Sequence, residues 1–375
     1  MTKPCETIST LLSERIVAGD FPSAVYLVAE HDQIVFADAL GDAVREPEQI
    51  PAKLNTIYDL ASLTKPLITG LLCARRIESG ELMIEASVSH YLPEFDRPDK
   101  RMITVRQLLT HTSGLPAWRA LYLLLGGERG ATLTAIANEP LEYSPGARIV
   151  YSDLGFITLG LLLERISGTS LASLAQREII EPRALHDTFF NPSPGLRPRI
   201  AASEKGNAFE RGTVRATTRP DANHESESWR EEVIWGEVHD GNAYFLGGAA
   251  GHAGLFSTAD ETFRLAEQFL AGRTKLLKPE TCGLFRTNMT AGLEEARTIG
   301  WQLAATKDST AGLDLPPDSF GHTGFTGTSC WIDPDHERIF ILLTNRTHAR
   351  KLPFENINHV RRQFHSLAVA ALAVR

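Results

Sequence analysis

Apolar positions recur at helical spacing over residues 5–18, and two strand-like runs follow, Ala24–Ala29 and Gln33–Ala37, split by the turn-prone His31-Asp32. The spacing predicts a helix and then a β-hairpin. Thr56–Leu60 reads as another short strand. From Ser62 to Ser79 the apolar set Leu67, Leu71 and Ala74, with Ile68 and Leu72, predicts a buried helix. Pro66 falls in its first turn, where a missing N–H costs little, and Gly80 supplies the stop. The middle of the chain is mostly helical. Thr104-Val-Arg-Gln107 is a capping box opening a short helix, Gly114-Leu-Pro116 breaks the chain, and residues 153–167 and 170–180 read as further helices. Residues 190–235 are polar, charged and aperiodic, and read as long surface loops over a site. Strand-like runs return at Gly300–Ala304, Thr328–Asp333 and Arg338–Thr344, the last two joined by the turn Pro334-Asp-His-Glu337. Residues 356–374 predict a closing helix.

Strands at both ends with helices between predict an α/β fold of the α+β type, an antiparallel sheet flanked by helices. Residues 1–78 and 245–375 would form a discontinuous sheet domain and residues 79–244 an inserted, mostly helical one, with a cleft between them as the place for a site. A length of 375 residues suits that division better than one ordinary core. The net charge of −8 argues against nucleic acid or an anionic membrane as partner. The longest apolar runs, Ile157–Leu163 and Leu121–Leu125, are too short to span a bilayer. Residues 1–10 lack an apolar leader core, so a cytoplasmic location is expected. The four cysteines, Cys5, Cys73, Cys282 and Cys330, are scattered and read as buried thiols. With no H-E-x-x-H among the histidines, neither metal nor cofactor is expected. The oligomeric state is not legible.

Three short elements carry candidate chemistry. In Ser62-Leu-Thr-Lys65 a hydroxyl and an amine share one helix face, since residues three apart are neighbours there. Serine needs an adjacent base to act as a nucleophile, and burial would depress the lysine and leave it a neutral amine. Ser62 could equally be a helix cap. Tyr151-Ser-Asp153 stands at a loop-to-helix junction, where a phenol near a lysine can relay a proton, though a buried aromatic beside an N-cap has the same look. His322-Thr323-Gly324 lies in a glycine-rich stretch before a strand, as a turn would, but an edge there can also offer an N–H to an oxyanion. Order and spacing favour the catalytic reading of all three, because S-x-x-K, S-D-N and K-T-G are the parts of penicillin-interacting serine enzymes.

With these elements, and with Asp59-Leu-Ala-Ser-Leu-Thr-Lys65, Leu108-Leu-Thr-His-Thr-Ser-Gly-Leu-Pro116 and Gly251-His-Ala-Gly-Leu-Phe-Ser257, the chain resembles the serine β-lactamase and penicillin-binding protein superfamily over nearly its whole length. It looks closest to the branch of class C β-lactamases, DD-peptidases and related esterases. The resemblance implies that Ser62 is acylated, that Lys65 and Tyr151 share the acid–base work, and that the N–H groups of Ser62 and Phe325 form the oxyanion hole. It places Asp153, where many members carry Asn, beside Lys65 or a substrate amide, and His322, Thr323 and Gly324 where others carry Lys-Thr-Gly. Histidine in place of that lysine disfavours strong lactam hydrolysis, and Arg346 is either a replacement cation or a surface residue. Val238-His-Asp-Gly-Asn-Ala243 and Leu246-Gly-Gly-Ala-Ala-Gly-His-Ala-Gly254 resemble a subgroup of cell-wall fragment metabolism, with His239, Asp240 and His252 lining a pocket. The expected activity is hydrolysis of a small-molecule amide or ester through an acyl-serine, on muropeptide-like substrates. Small esters, lactams or D-alanyl peptides are the alternatives, and a non-catalytic binding descendant is the contrasting class.

Overall fold

A computed structural model describes residues 3–217 and 229–374. Its main sheet has seven antiparallel strands in the order β3-β2-β1-β10-β9-β8-β7. They are β1 (Ser23–Glu30), β2 (Gln33–Val44), β3 (Ile50–Pro51), β7 (Gln302–Leu303), β8 (Phe320–Thr323), β9 (Ser329–Asp333) and β10 (Arg338–Thr344). A second sheet, in the order β4-β6-β5, joins β4 (Tyr58–Asp59), β5 (Phe189–Phe190) and β6 (Leu255–Ser257). The two ends of the chain meet at the centre of the main sheet, where β1 pairs with β10 from Ala24↔Thr344 to Glu30↔Arg338.

The period-2 alternation of β1 explains why the sheet is covered on both faces. Val25, Leu27 and Ala29 join a large core cluster that extends into the helices. Ala24, Tyr26 and Val28 point the other way, onto α1 (Glu6–Ala18) and α11 (Asn358–Ala373), through Ile8, Leu12, Val360 and Phe364. Between the sheet segments lie α2 (Leu71–Ser79), α3 (Val105–Leu109), α4 (Leu121–Leu124), α5 (Thr132–Asn138), α6 (Asp153–Ser167), α7 (Leu171–Ala175), α8 (Ala208–Thr217), α9 (Gly241–Phe245) and α10 (Ala259–Ala266). The capping box of α3 forms as its sequence requires: Gln107 N–H donates to Thr104 Oγ1 and Thr104 N–H to Gln107 Oε1. We propose a division into a discontinuous sheet part, 1–78 and 245–375, and an insertion over 79–244; one hydrophobic cluster runs through both, from Leu343 in β10 to Leu159 in α6.

Four expectations are corrected. The strand at Gln33 continues to Val44, and the strand expected over Gly300–Ala304 shrinks to two residues. His322 and Thr323 lie within a strand, β8, rather than a turn. Its glycine content hid it: Gly321 pairs with Trp331 on β9 and sits where a Cβ would strike that indole ring. The stretch 190–235 is not a set of surface loops throughout, because it contains α8 and the buried residues Glu204, Asn207 and Glu210. Residues 218–228 of that stretch lie outside the described residues. Among the described residues no single helix is long and apolar enough to cross a membrane; the bent pair Asp153–Ser167 and Leu171–Ile180 has the length and composition to do so, but Leu159, Leu162, Leu171 and Leu174 from it are buried in the core. All four cysteines are free and buried.

Candidate active site

Asp59 sets the geometry of the serine segment. Its carboxylate accepts the N–H of Ala61 at 2.8 Å and that of His239 at 2.7 Å. Ala61 is held in the left-handed region at φ 48°, a strained conformation for a residue with a Cβ and one that collects at functional sites. A tight helical turn over Ala61–Leu63 then presents Ser62, and the chain winds wider, as a π-helix, over Lys65–Gly70 before α2 begins. Pro66, which lacks an N–H, starts that wider winding.

Lys65 Nζ lies 3.0 Å from Ser62 Oγ, 3.1 Å from the carbonyl of His252 and 2.7 Å from Asp153 Oδ1, with the lysine side chain 0% exposed. Burial works against its charge, but Asp153 and then Tyr151 outweigh burial and hold Lys65 above the usual lysine range. The neutral amine expected from burial alone is thus overturned: Asp153, expected beside Lys65, keeps the proton on the lysine. Tyr151 is pushed up by burial, against the opposing pull of Lys65 and its hydrogen bonds to Lys65 and Ser62, so it rests as a phenol. Its ring is packed between His111, at 4.5 Å, and His322, at 5.7 Å. His111 Nδ1 accepts the N–H of Ser152, which fixes the loop carrying Tyr151.

The strand-side wall comes from β8 and the turn after it. His322 is held well below its usual range by burial, Arg297 and Lys65, and its Nδ1 donates to the Thr323 carbonyl. It is therefore a neutral imidazole whose Nε2 is an acceptor. The turn is pinned to the serine segment: Thr326 and Thr328 hydroxyls donate to the carbonyls of Asp59 and Leu60. A Cβ on Gly324 would run into Thr328 Oγ1 and Leu60 O, so this approach requires glycine. The N–H of Phe325 has no acceptor among the described residues, while its carbonyl accepts Arg346 Nε at 2.8 Å.

These groups line one cavity of about 720 Å³, which holds Ser62, Tyr151, Asp153, His322, Thr323 and Gly324, with Phe325 and Arg346. Two expectations change. His252 is fully buried and does not form the wall. Its Nε2 bonds Asp240 Oδ1 at 2.8 Å and its carbonyl holds Lys65, so it acts from behind. Arg346 is committed to the backbone, through Phe325 O and Glu355 O, and lies over the Phe325 ring at 5.0 Å. Besides Lys65, 4.9 Å from the phenol ring, Arg297 stands near Tyr151, paired to Glu295 and 5.9 Å from that ring. Nothing in its local sequence marks it. Phe209 and Glu210 on α8 also line the cavity, as do His239 and Asp240. Among the described residues, Asp153, Asp240 and His252 form the group whose ligand atoms, within 4.8 Å of one another, could hold a metal ion. The Lys65 ammonium already sits against Asp153 there.

A serine hydroxyl facing a buried lysine and a tyrosine, in a cavity beside an antiparallel sheet capped by helices, defines a β-lactamase-like serine hydrolase. The chain belongs to the Beta-lactamase family, whose sequence pattern matches residues 8–362. A relative from Escherichia coli (strain K12), named provisionally as a D-alanyl-D-alanine carboxypeptidase, is 32% identical over 366 residues, 90% of this chain and 81% of the relative. The N-acetylmuramyl-L-alanine amidase of Bacillus subtilis (strain 168) is 31% identical over 387 residues, covering 95% of this chain and 84% of that protein. Among solved structures, EstCE1, a hydrolase with promiscuous acyltransferase activity, superposes with a TM-score of 0.73 at 22% identity, covering 97% of this chain and 98% of its own. At that identity the likeness is one of fold.

Proposed function

We propose that this chain hydrolyses an amide or ester through an acyl-serine at Ser62, and that its natural substrates are cell-wall-derived, muropeptide-like amides. The observation that carries the chemistry is Lys65 Nζ at 3.0 Å from Ser62 Oγ, on the wall of a cavity large enough for a ligand. The cell-wall reading draws on the amidase and carboxypeptidase names of relatives that align along most of the chain.

In this mechanism the Lys65–Tyr151 pair must shed one proton before it can act as base, because both rest protonated. The Ser62 hydroxyl then attacks the substrate carbonyl as its proton passes to the pair, and the carbonyl oxygen becomes an oxyanion held by the N–H groups of Ser62 and Phe325. Collapse breaks the scissile bond, and Tyr151 gives the proton to the leaving amine. Water takes the same route to cleave the acyl-serine.

The test is intact-protein mass spectrometry of wild type and Ser62→Ala after exposure to a fluorophosphonate, a penicillin and a muramyl peptide, with amide hydrolysis followed in parallel. Phosphonate labelling of wild type alone, with cleavage of the muramyl amide, is the expected result. A long-lived penicillin adduct without muramyl cleavage would favour a D-alanyl peptidase. That second reading has Arg297 in its favour, as a fixed cation for a substrate carboxylate beside the neutral His322. Hydrolysis at the wild-type rate by Ser62→Ala would remove the nucleophile assignment.

A further inference from the structure

The N–H of Phe325 belongs to the peptide that joins Gly324 to Phe325, and that peptide is trans and planar. Its carbonyl, on Gly324, points away from the N–H, so whatever holds one end aims the other. The Gly324 carbonyl accepts the Gly327 N–H at 3.1 Å and Arg361 Nη2 at 3.2 Å. The same Nη2 donates to the Thr328 carbonyl at 3.1 Å, which also accepts the Gly324 N–H at 2.8 Å. One guanidinium nitrogen thus clasps both ends of the turn that carries Phe325.

The fold keeps Arg361 there at a cost. The residue is 5% exposed, and its Nε is buried without a partner. It lies in the first turn of α11, where the helix dipole disfavours a cation. The other two arginines that are buried among the described residues, Arg76 and Arg297, pair with Glu178 and Glu295. Arg361 meets only neutral acceptors, Asn358 Oδ1 and the two carbonyls, and among the described residues no carboxylate offsets its charge. Burial and then Arg346 push it down to about 9, which still leaves it charged at neutral pH. A buried charge without a counter-ion destabilises the folded chain. The turn is closed without it, since each carbonyl keeps a backbone donor. What the charge acts on is the peptide dipole: a cation at the carbonyl end polarises the amide and makes its N–H a stronger donor.

We infer that Arg361 is a positioning residue for the oxyanion hole, which acts through the Gly324 carbonyl to aim the Phe325 N–H and to strengthen it as a donor. The inference rests on the acyl-serine reading above and adds the residue that readies one of its two proposed oxyanion donors.

The test compares wild type with Arg361→Met, which removes charge and hydrogen bonds, and Arg361→Lys, which keeps the charge. Two esters are used, neutral p-nitrophenyl acetate and the anionic mono-p-nitrophenyl ester of succinic acid, with active enzyme counted by fluorophosphonate titration. Arg361→Met should lower kcat on the neutral ester about 50-fold with KM within about threefold, and Arg361→Lys should stay within about fivefold of wild type. The infrared carbonyl stretch of acyl-Ser62 should move to higher wavenumber in Arg361→Met, because the acyl carbonyl is less polarised. An unchanged kcat with an unmoved stretch would overturn the inference. So would a loss confined to KM for the anionic ester, which would make Arg361 a substrate cation, since it also borders the cavity. If Arg361→Met gives no titratable enzyme, Arg361→Gln takes its place, and equal kcat for the Gln and Lys variants would overturn the inference. Ester cleavage at the wild-type rate by Ser62→Ala would instead overturn the acyl-serine reading, and the inference with it.

Discussion

Asp153 and Glu210 are carboxylates on the wall of the same cavity, and their neighbours give them opposite parts. Asp153 meets a buried ammonium at 2.7 Å. Among the described residues Glu210 accepts hydrogen bonds from neutral donors only, the Tyr122 hydroxyl at 2.6 Å and the Gly241 N–H at 2.8 Å, with the carboxylate of Asp240 close by and His239 a weaker, opposing influence. The first pins a proton on Lys65. The second, through burial and then repulsion from Asp240, is itself pushed up to about 7. Exposure does not separate them, since both are largely buried. The difference is whether a cation stands opposite, and it decides which protons are available to chemistry near neutral pH.

The strongest way to break this comparison is Asp153→Asn, which removes the charge and keeps the shape. Lys65 should then lose its proton more readily, because burial is no longer outweighed. The acid limb of a pH–rate profile for phosphonate inactivation should move to lower pH by about one unit or more, the usual effect of removing an opposite charge within contact distance. A limb that stays in place would show that Asp153 does not control the protonation of Lys65.

Why one of these carboxylates was legible in the sequence and the other was not follows from where their partners lie. Ser62 and Lys65 are three residues apart on one helical turn, and Asp153 is two from Tyr151, so short motifs capture them. The main sheet was legible for a similar reason, since β1, β9 and β10 alternate or run apolar and are joined by recognisable turns. Glu210 reads as a surface residue in a charged stretch. It is buried because Tyr122 and Gly241, far off in both directions, satisfy its oxygens, and because Arg230 ties Asn207 to the carbonyls of Val238 and His239. Arg297 was hidden in the same way, its place beside Tyr151 set by the fold and not by a local pattern. His252 was read as a pocket residue from the resemblance of its segment to a subgroup, but the glycines beside it serve packing: a Cβ on Gly251 would meet the Phe156 carbonyl in α6.

A smaller effect sharpens the contrast between charges that face ligand and charges that face backbone. Arg346 Nε holds the Phe325 carbonyl, and so anchors the residue whose N–H is proposed for the oxyanion hole. Arg346→Gln should lower kcat by about tenfold while leaving KM within a factor of about two, because the lost alignment is felt chiefly in the transition state. A rise in KM confined to anionic substrates would instead make Arg346 a substrate cation. Arg361 stands behind it, pushed down to about 9 by burial and by Arg346, and bonds the carbonyls of Gly324 and Thr328. Its charge therefore eases when Arg346 is neutralised, which keeps the turn in place for the measurement.

The mildest test concerns Glu210 and stability. Its folded value of about 7 lies above the ordinary 4.5, so the folded protein binds a proton there that the unfolded chain has already released. Stability from this group is present in full below about pH 4.5 and declines as pH rises through about 7, by up to about 3 kcal/mol. Glu210→Gln mimics the neutral form: its amide oxygen can accept the Gly241 N–H and its amide nitrogen can donate to the Tyr122 oxygen. Denaturant unfolding at pH 5, 6, 7 and 8 should show wild type losing stability across this window more steeply than the variant, with the two nearly equal at pH 5. Parallel pH profiles would mean that Glu210 is ionised throughout this window. The wall would then carry one more negative charge at neutral pH, and the contrast between the two carboxylates would vanish.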